Sequence, residues 1–256
     1  KKKFNNLYLV GGTWRSLFKL HLFQNNHPVH IIHQYSLNRS TLTKFVEKIS
    51  NFNKSKLKTV EYISKSRTQF LPYSSIILDE IMSITNPKKI ICSISGLREG
   101  SLSIDHFKNT KESEIFTKSI EYIALKRGDL GSTYQKYFKF ILPVFDGNEH
   151  YNKKLLHLAC VLSHMDWGLG AFQKAELVFQ ETLNTPLLRL THKERIQLAL
   201  SCYWRYCSIK YNPKFEYLTF LNNNEIFSSK QVGAALRFSQ SLTSISTIFL
   251  EEFKLY

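Results

Sequence analysis

The sequence predicts an α/β region followed by an all-helical region. Three observations carry this reading. Over the first hundred residues, short apolar strands that end in glycine turns alternate with stretches of helical spacing. After about residue 104 strand signals nearly vanish and helical periodicity takes over. The chain has 256 residues, 43% of them hydrophobic and 21% charged, enough to bury a core as one large domain or two small ones.

Leu7-Tyr8-Leu9-Val10 reads as a short buried strand, broken by Gly11-Gly12. Thr13 is placed to cap a helix over Trp14 to Phe23, with Trp14, Leu17, Phe18 and Leu20 at helical spacing. A second helix is expected from Ser40, as its cap, through Leu42, Phe45, Val46 and Ile49. A third runs from about Pro72 to Ile84, with Ile76, Ile77, Ile81 and Ile84 on one face, and Asn86-Pro87 stops it. Lys89 to Ile94 reads as a strand and Ser95-Gly96-Leu97-Arg98-Glu99-Gly100 as the turn behind it. Such alternation builds an α/β layer with a parallel component.

The later helices are expected over Glu112–Lys126, Gly131–Phe145, Tyr151–Met165, Thr191–Cys207 and Ser228–Phe249. Thr191 is the expected cap of the fourth, and Tyr211-Asn212-Pro213 and Asn222-Asn223-Asn224 are expected surface loops. The boundary falls near 103–112, giving domains 1–105 and 106–256.

Lys+Arg number 35 against 20 Asp+Glu, a net charge of +15. A field of that sign attracts polyanions: nucleic acid, polyphosphate, nucleotides or an acidic membrane. The composition, rich in Lys, Asn, Ile, Phe and Tyr, is also the bias expected of an AT-rich genome, which would account for the lysines without a function. Cys92, Cys160, Cys202 and Cys207 form no C-x-x-C pair, and read as buried thiols of a reducing cytoplasm. Phe138 to Phe145, among the longest apolar runs, is interrupted by Lys139 and Pro143, far from the ~18 residues of a membrane helix. Lys1-Lys2-Lys3-Phe4 leads without a signal-peptide core into the first strand, so the chain is expected to start inside a larger protein.

Two segments have the pattern of a ligand loop. In Leu9-Val10-Gly11-Gly12-Thr13-Trp14-Arg15 a strand enters a glycine turn and then a helix, which exposes backbone N–H groups at the positive end of the helix dipole. Thr13 adds a hydroxyl and Arg15 a forked cation. A tight turn alone would look the same. In Ser95 to Gly100 a second strand end meets a glycine, with Arg98 and Glu99 side by side. Ligands of open α/β sheets bind beyond the carboxyl ends of strands. The bland alternative is an Arg–Glu pair that holds a turn.

Four stretches, in order, resemble the exopolyphosphatase/guanosine pentaphosphate phosphatase (Ppx/GppA) family, in the version found in alphaproteobacteria. They are Val10-Gly11-Gly12-Thr13, His30-Ile31-Ile32-His33-Gln34-Tyr35, Ser64 to Pro72 with Arg67 and Leu71, and Ser95-Gly96-Leu97-Arg98-Glu99-Gly100. Leu156 to Trp167 is similar to the HD-like helical region of that family, as is Gly233-Ala234-Ala235-Leu236-Arg237-Phe238 to its late helix.

The resemblance implies a partial actin-like (ASKHA, ribonuclease H-like) lobe followed by an all-helical HD-like domain. It implies a cytoplasmic, magnesium-dependent phosphohydrolase acting on inorganic polyphosphate or guanosine pentaphosphate. Gly11, Gly12, Thr13 and Arg15 would line the phosphate-binding cleft, and Arg98 and Glu99 would order the lobe. The two aspartate- and glycine-rich phosphate loops and the catalytic glutamate of the family are not in this sequence. No catalytic residue and no metal ligand are therefore assigned, Mg2+ belongs to the complete enzyme, and the chain alone is expected to hydrolyse little. The strand edges of a half-lobe would be hidden by a homodimer.

The HD-like region shows Ser163-His164 with Asp166 two residues on, and Gly168-Leu169-Gly170 follows. On a helix His164 and Asp166 point about 200° apart, which favours a half-buried histidine over a metal ligand. His27, His30 and His33 read as solvated histidines beside a strand. Tyr203-Trp204-Arg205-Tyr206 and Lys210-Tyr211 interleave cations with rings, as nucleobase stacking needs, but Tyr203 and Tyr206 share a helix face better suited to a core. The alternative function is a non-catalytic module that binds polyphosphate or RNA.

Overall fold

The computed structural model describes residues 4–51, 63–129, 133–147, 151–164, 170–185, 187, 190–213, 215–243 and 249–253. The chain forms two compact units, Lys1–Lys108 and Asn109–Tyr256.

Unit 1 is built on β1 (Asn6–Val10), β2 (Ser36–Asn38) and β3 (Lys89–Ser93) in the order β1-β3-β2. β1 and β3 are parallel, with Leu7 opposite Ile90 and Val10 opposite Ser93; β2 runs antiparallel to β3. Between the strands come α1 (Gly12–Gln24), α2 (Arg39–Ser50), the single turn α3 (Lys65–Thr68) and α4 (Leu71–Thr85), and α5 (Leu97–Phe107) follows β3. Leu9 of β1 and Ile90 and Cys92 of β3 are buried in one core with Leu17 and Phe18 of α1, Leu42 and Ile49 of α2, and Leu78 and Met82 of α4. At ~25 cal/mol per Å2, such apolar burial is the main force holding helices to sheet.

Several local expectations need correction. Thr13 does not cap α1: the cap position is Gly11, whose φ of 130° is open to glycine and strained for other residues. The α2 cap is Asn38, not Ser40, and it makes no side-chain cap bond. In α4 the isoleucine face is the outer one. Ile76, Ile77 and Ile84 are exposed, while Leu71, Ser74, Ser75, Leu78 and Met82 are buried. Ser74 and Ser75 fit there because each hydroxyl is satisfied by the Leu71 carbonyl. Ser95 to Gly100 is not a free turn, since α5 starts at Leu97. His33 is buried, its Nδ1 accepting the Ile94 N–H, rather than solvated beside a strand. The stop at Asn86-Pro87 has a clear cause: Asn86 ends α4 in the left-handed conformation.

Among the described residues, the regular elements of unit 2 are all helices: α6 (Glu112–Lys126), α7 (Thr133–Phe145), α8 (Lys153–Leu162), α9 (Ala171–Asn184), α10 (His192–Tyr206), the short α11 (Phe215–Leu218), α12 (Asn223–Thr243) and the short α13 (Phe249–Glu252). Thr191 caps α10, exchanging hydrogen bonds with Glu194. α9 was not expected from the sequence. Asn222-Asn223-Asn224 is not a loop: Asn222 Oδ1 accepts the Glu225 N–H and α12 begins at Asn223. Gly131, Met165, Asp166, Trp167, Gly168 and Leu169 lie outside the described residues, as do residues 244–248 of the last expected helix.

Trp204 is fully buried on α10, and Gly233 of α12 sits against it so closely that a Cβ there would lie 2.6 Å from Trp204 Cβ. Arg195, also fully buried, donates to the carbonyls of Leu183, Thr185 and Leu187 and so ties the end of α9 to α10.

Candidate phosphate-binding site

Because β1 and β3 are adjacent and parallel, they deliver the starts of α1 and α5 to the same end of the sheet. The first amides of a helix have no intrahelical acceptor, and the dipole makes that end attractive to anions. Gly11 gives the α1 terminus no side-chain cap, so its first-turn amides keep their donor capacity. Gly11, Gly12 and Thr13 are all half-buried.

Three arginines belong to this end. Arg67, on α3, places its guanidinium over Gly12, where a Cβ would stand 3.0 Å from Arg67 Cζ. Arg67 is the residue that sequence reading passed over as a site; its only signal was its place in the Ser64–Pro72 segment. Arg15 turns inward. Its Nε donates to the Gly11 carbonyl at 3.2 Å and its NH1 to the Ile94 carbonyl at 3.0 Å. It therefore binds the two loops together and is a positioning residue for both. Arg98 lies exposed in the first turn of α5.

Glu99 does not pair with Arg98 to hold a turn. Its carboxylate accepts the Gly96 N–H at 2.6 Å, closing the start of α5 on itself. Its own backbone N–H and that of Gly96 hold it below the usual carboxylate range, with smaller help from Arg98 and Arg15. This commits the carboxylate to the helix start rather than to proton transfer.

The donor set here is cationic and amidic. Among the described residues no group of three His, Cys, Asp or Glu side chains is placed to hold a metal ion. Glu99, the carboxylate at this end, is already occupied. These residues do not fit a protein-built Mg2+ cage, which would require several oxygen ligands.

In unit 2, Arg127 donates to the Leu162 and His164 carbonyls, and Arg205 donates to Ser163 Oγ and approaches His164 Nδ1 at 3.4 Å. Two guanidinium groups thus cluster at Ser163-His164, an unfavourable place for a further cation. Tyr203, Trp204 and Arg205 are buried and offer no stacking face for bases, whereas Tyr206 is half-buried and Lys210 and Tyr211 are exposed. All four cysteines are buried free thiols, and burial pushes Cys92 up to about 12 and Cys202 up to about 11.

The segment that carries both loops, α3 and the parallel strands has a known counterpart. Residues 2–107 match the Ppx/GppA phosphatase family. The Ppx/GppA match ends where unit 1 ends, so it covers both glycine loops, Arg67, Arg98 and Glu99 and none of unit 2. No curated protein matches the chain. No helix among the described residues is long and apolar enough to cross a membrane.

Proposed function

We propose that unit 1 is a phosphate-gripping part of a cytoplasmic Ppx/GppA-type phosphohydrolase, with inorganic polyphosphate or guanosine pentaphosphate as substrate. The observation that carries this is that two helix N-termini, Gly11–Thr13 and Gly96–Glu99, follow the carboxyl ends of adjacent parallel strands and are tied through Arg15, with Arg67 over Gly12. Backbone amides and a guanidinium fork suit the equatorial oxygens of a phosphoryl group. Arg15 holds the two loops in register. Unit 2 is the HD-like domain of this reading, and Mg2+ would arrive with the phosphates of the substrate.

Charge distribution favours a second reading, a binding module without catalysis. Residues 1–108 hold 17 Lys+Arg against 6 Asp+Glu, net +11, whereas residues 109–256 hold 18 against 14, net +4. The excess is thus concentrated in the family-matching unit.

Polyphosphate titrations of the chain across salt concentrations, with and without magnesium, test both. Binding that weakens steeply with salt and drops in Gly12→Asp supports the gripping site, and magnesium-dependent phosphate release separates hydrolase from binder. Absence of binding at low salt overturns both, and tighter binding of RNA than of polyphosphate moves the role to nucleic acid.

A further inference from the structure

α4 turns a continuous apolar stripe to solvent. Phe70, at its cap position, and Tyr73, Ile76, Ile77 and Ile84 along its length are each 55% to 61% exposed. Phe70, Tyr73, Ile77 and Ile84 recur at intervals of three, four and seven residues, the spacing of a helix–helix seam, and Glu80 fills the remaining place. The inner face of the same helix is already satisfied, with Leu71, Leu78 and Met82 fully buried. The stripe is therefore a second apolar face, one that the core of unit 1 does not use. Single exposed apolar side chains are ordinary. Five in one stripe leave ~500 Å2 of apolar surface open, near the top of the range for a monomer.

The charges around the stripe narrow the choice of partner. From Phe70 to Asn86 the chain has no Lys or Arg. Its acids there are Asp79 and Glu80, and with Glu47 of α2 they line an open groove beside Ile76 and Ile77. Half of the six acidic residues of unit 1 thus stand at this face, in the more basic half of the chain. The cations come before the helix instead, as Lys65 and Arg67 of α3. A stripe with basic residues ahead of one end and acidic residues in its second half is complementary to itself when run in the opposite direction. Among the described residues, neither the Tyr73 hydroxyl nor the Glu80 carboxylate has a hydrogen-bond or ion-pair partner.

We propose that this face of α4 is the contact surface between two copies of the chain, related by a two-fold axis with their α4 helices antiparallel about Ile77. In that register Ile77 meets its own copy, Phe70 meets Ile84, and Tyr73 lies beside Glu80, to which its hydroxyl donates; the last two contacts are each made twice. The acidic half of each helix runs toward the basic α3 of the other, an attraction that works against the mutual repulsion of two chains of net charge +15. The area is sufficient. Two stripes bury ~1,000 Å2 from these five side chains alone, the floor for a specific interface. A foreign helix would cover the same apolar residues but would not make the reciprocal contacts. The contact is independent of the phosphate loop and uses a helix face, not a strand edge.

The test is sedimentation equilibrium of the full chain over a micromolar concentration series. The expected result is a reversible monomer–dimer equilibrium, weakened about tenfold or more in Ile77→Asp and several-fold in Tyr73→Phe. Ile77 and Tyr73 are both exposed, and an unchanged denaturant midpoint at low concentration shows that each variant is folded. Cysteine pairing reads the register. Under mild oxidation Ile77→Cys is expected to link to itself, and Phe70→Cys to link to Ile84→Cys when the two chains are mixed. Ile84→Cys alone, and the wild type with its four buried thiols, are expected not to link. A chain that stays monomeric throughout the series overturns the proposal. So does a dimer unaffected by Ile77→Asp, which assigns association to another surface such as the edge of β1. A monomer that instead binds a cationic amphipathic peptide, and loses it in Ile77→Asp, overturns self-association and gives the stripe to a foreign helix.

Discussion

The Arg67 guanidinium stands on Gly12 so closely that there is no room for a Cβ without displacing it: Cζ, NH2 and NH1 would lie 3.0, 3.1 and 3.3 Å away. The obstacle is the far end of a flexible, exposed side chain, so stability and ligand grip should separate. Gly12→Ala is expected to unfold at nearly the wild-type denaturant midpoint while polyphosphate binding weakens several-fold. Arg67→Ala is expected to lose about tenfold, roughly 1.4 kcal/mol. Equal affinity in Arg67→Ala removes that residue from the site.

Gly233 presents the opposite case. A Cβ there would meet Trp204 Cβ at 2.6 Å, the Trp204 carbonyl carbon at 2.8 Å and the Ser201 oxygen at 3.0 Å. Two of these are backbone atoms of the buried helix α10, so relief requires α12 to move away. Overpacking of this kind costs ~1–3 kcal/mol. Gly233→Ala is expected to lower the urea midpoint clearly, with polyphosphate affinity per folded molecule unchanged.

The contrast between these glycines shows what the sequence could convey. Both sit in recognisable segments, but only the fold shows that one faces an arginine tip and the other a tryptophan backbone. The strand–glycine–helix order and the helical repeat at Leu42, Phe45, Val46 and Ile49 were readable because periodicity is local. The α10 cap was readable too, because Thr191 makes it with side-chain bonds to Glu194, but the caps of α1 and α2 were not, since Gly11 and Asn38 hold those positions by backbone conformation, without side-chain bonds. The α4 face was misleading because four isoleucines outweigh Ser74 and Ser75 in any hydropathy count, and the serines are buried through bonds to their own helix. Arg67 was unreadable as a site residue because its approach to Gly12 spans 55 positions of chain.

Arg195 gives a test of unit 2. Its three carbonyl partners, on Leu183, Thr185 and Leu187, are held by one guanidinium that burial pulls down to about 10 yet leaves charged at neutral pH. Arg195→Met keeps much of the volume and strands the carbonyls. Losses of about 2–3 kcal/mol are expected in chemical denaturation, from desolvated acceptors without donors. A change below about 0.5 kcal/mol would mean that water replaces the guanidinium.

Acid should weaken both units through histidines that the fold keeps neutral. Burial pushes His21 and His157 below the ordinary histidine value, with Lys153 adding to the effect at His157. Burial lowers His27 to about 4, against a bond to the Val29 backbone that works the other way; His30 and His21 lower it further. His157 is stacked on Phe138 at 4.3 Å and on Tyr134 at 5.5 Å, and its buried Nε2 has no hydrogen-bond partner among the described residues. With the folded values depressed, the unfolded chain binds protons first as pH falls below about 6.5. Stability is therefore full above that pH, declines through the window down to about 4 set by His27, and levels off below it as far as this residue is concerned. Denaturant midpoints at pH 7.5, 6.0 and 5.0 measure the decline. His157→Phe, which preserves the ring stack and removes the proton site, is expected to flatten the part due to unit 2. An acid limb as steep in that variant as in the parent would assign the loss to the general repulsion of a strongly basic chain instead.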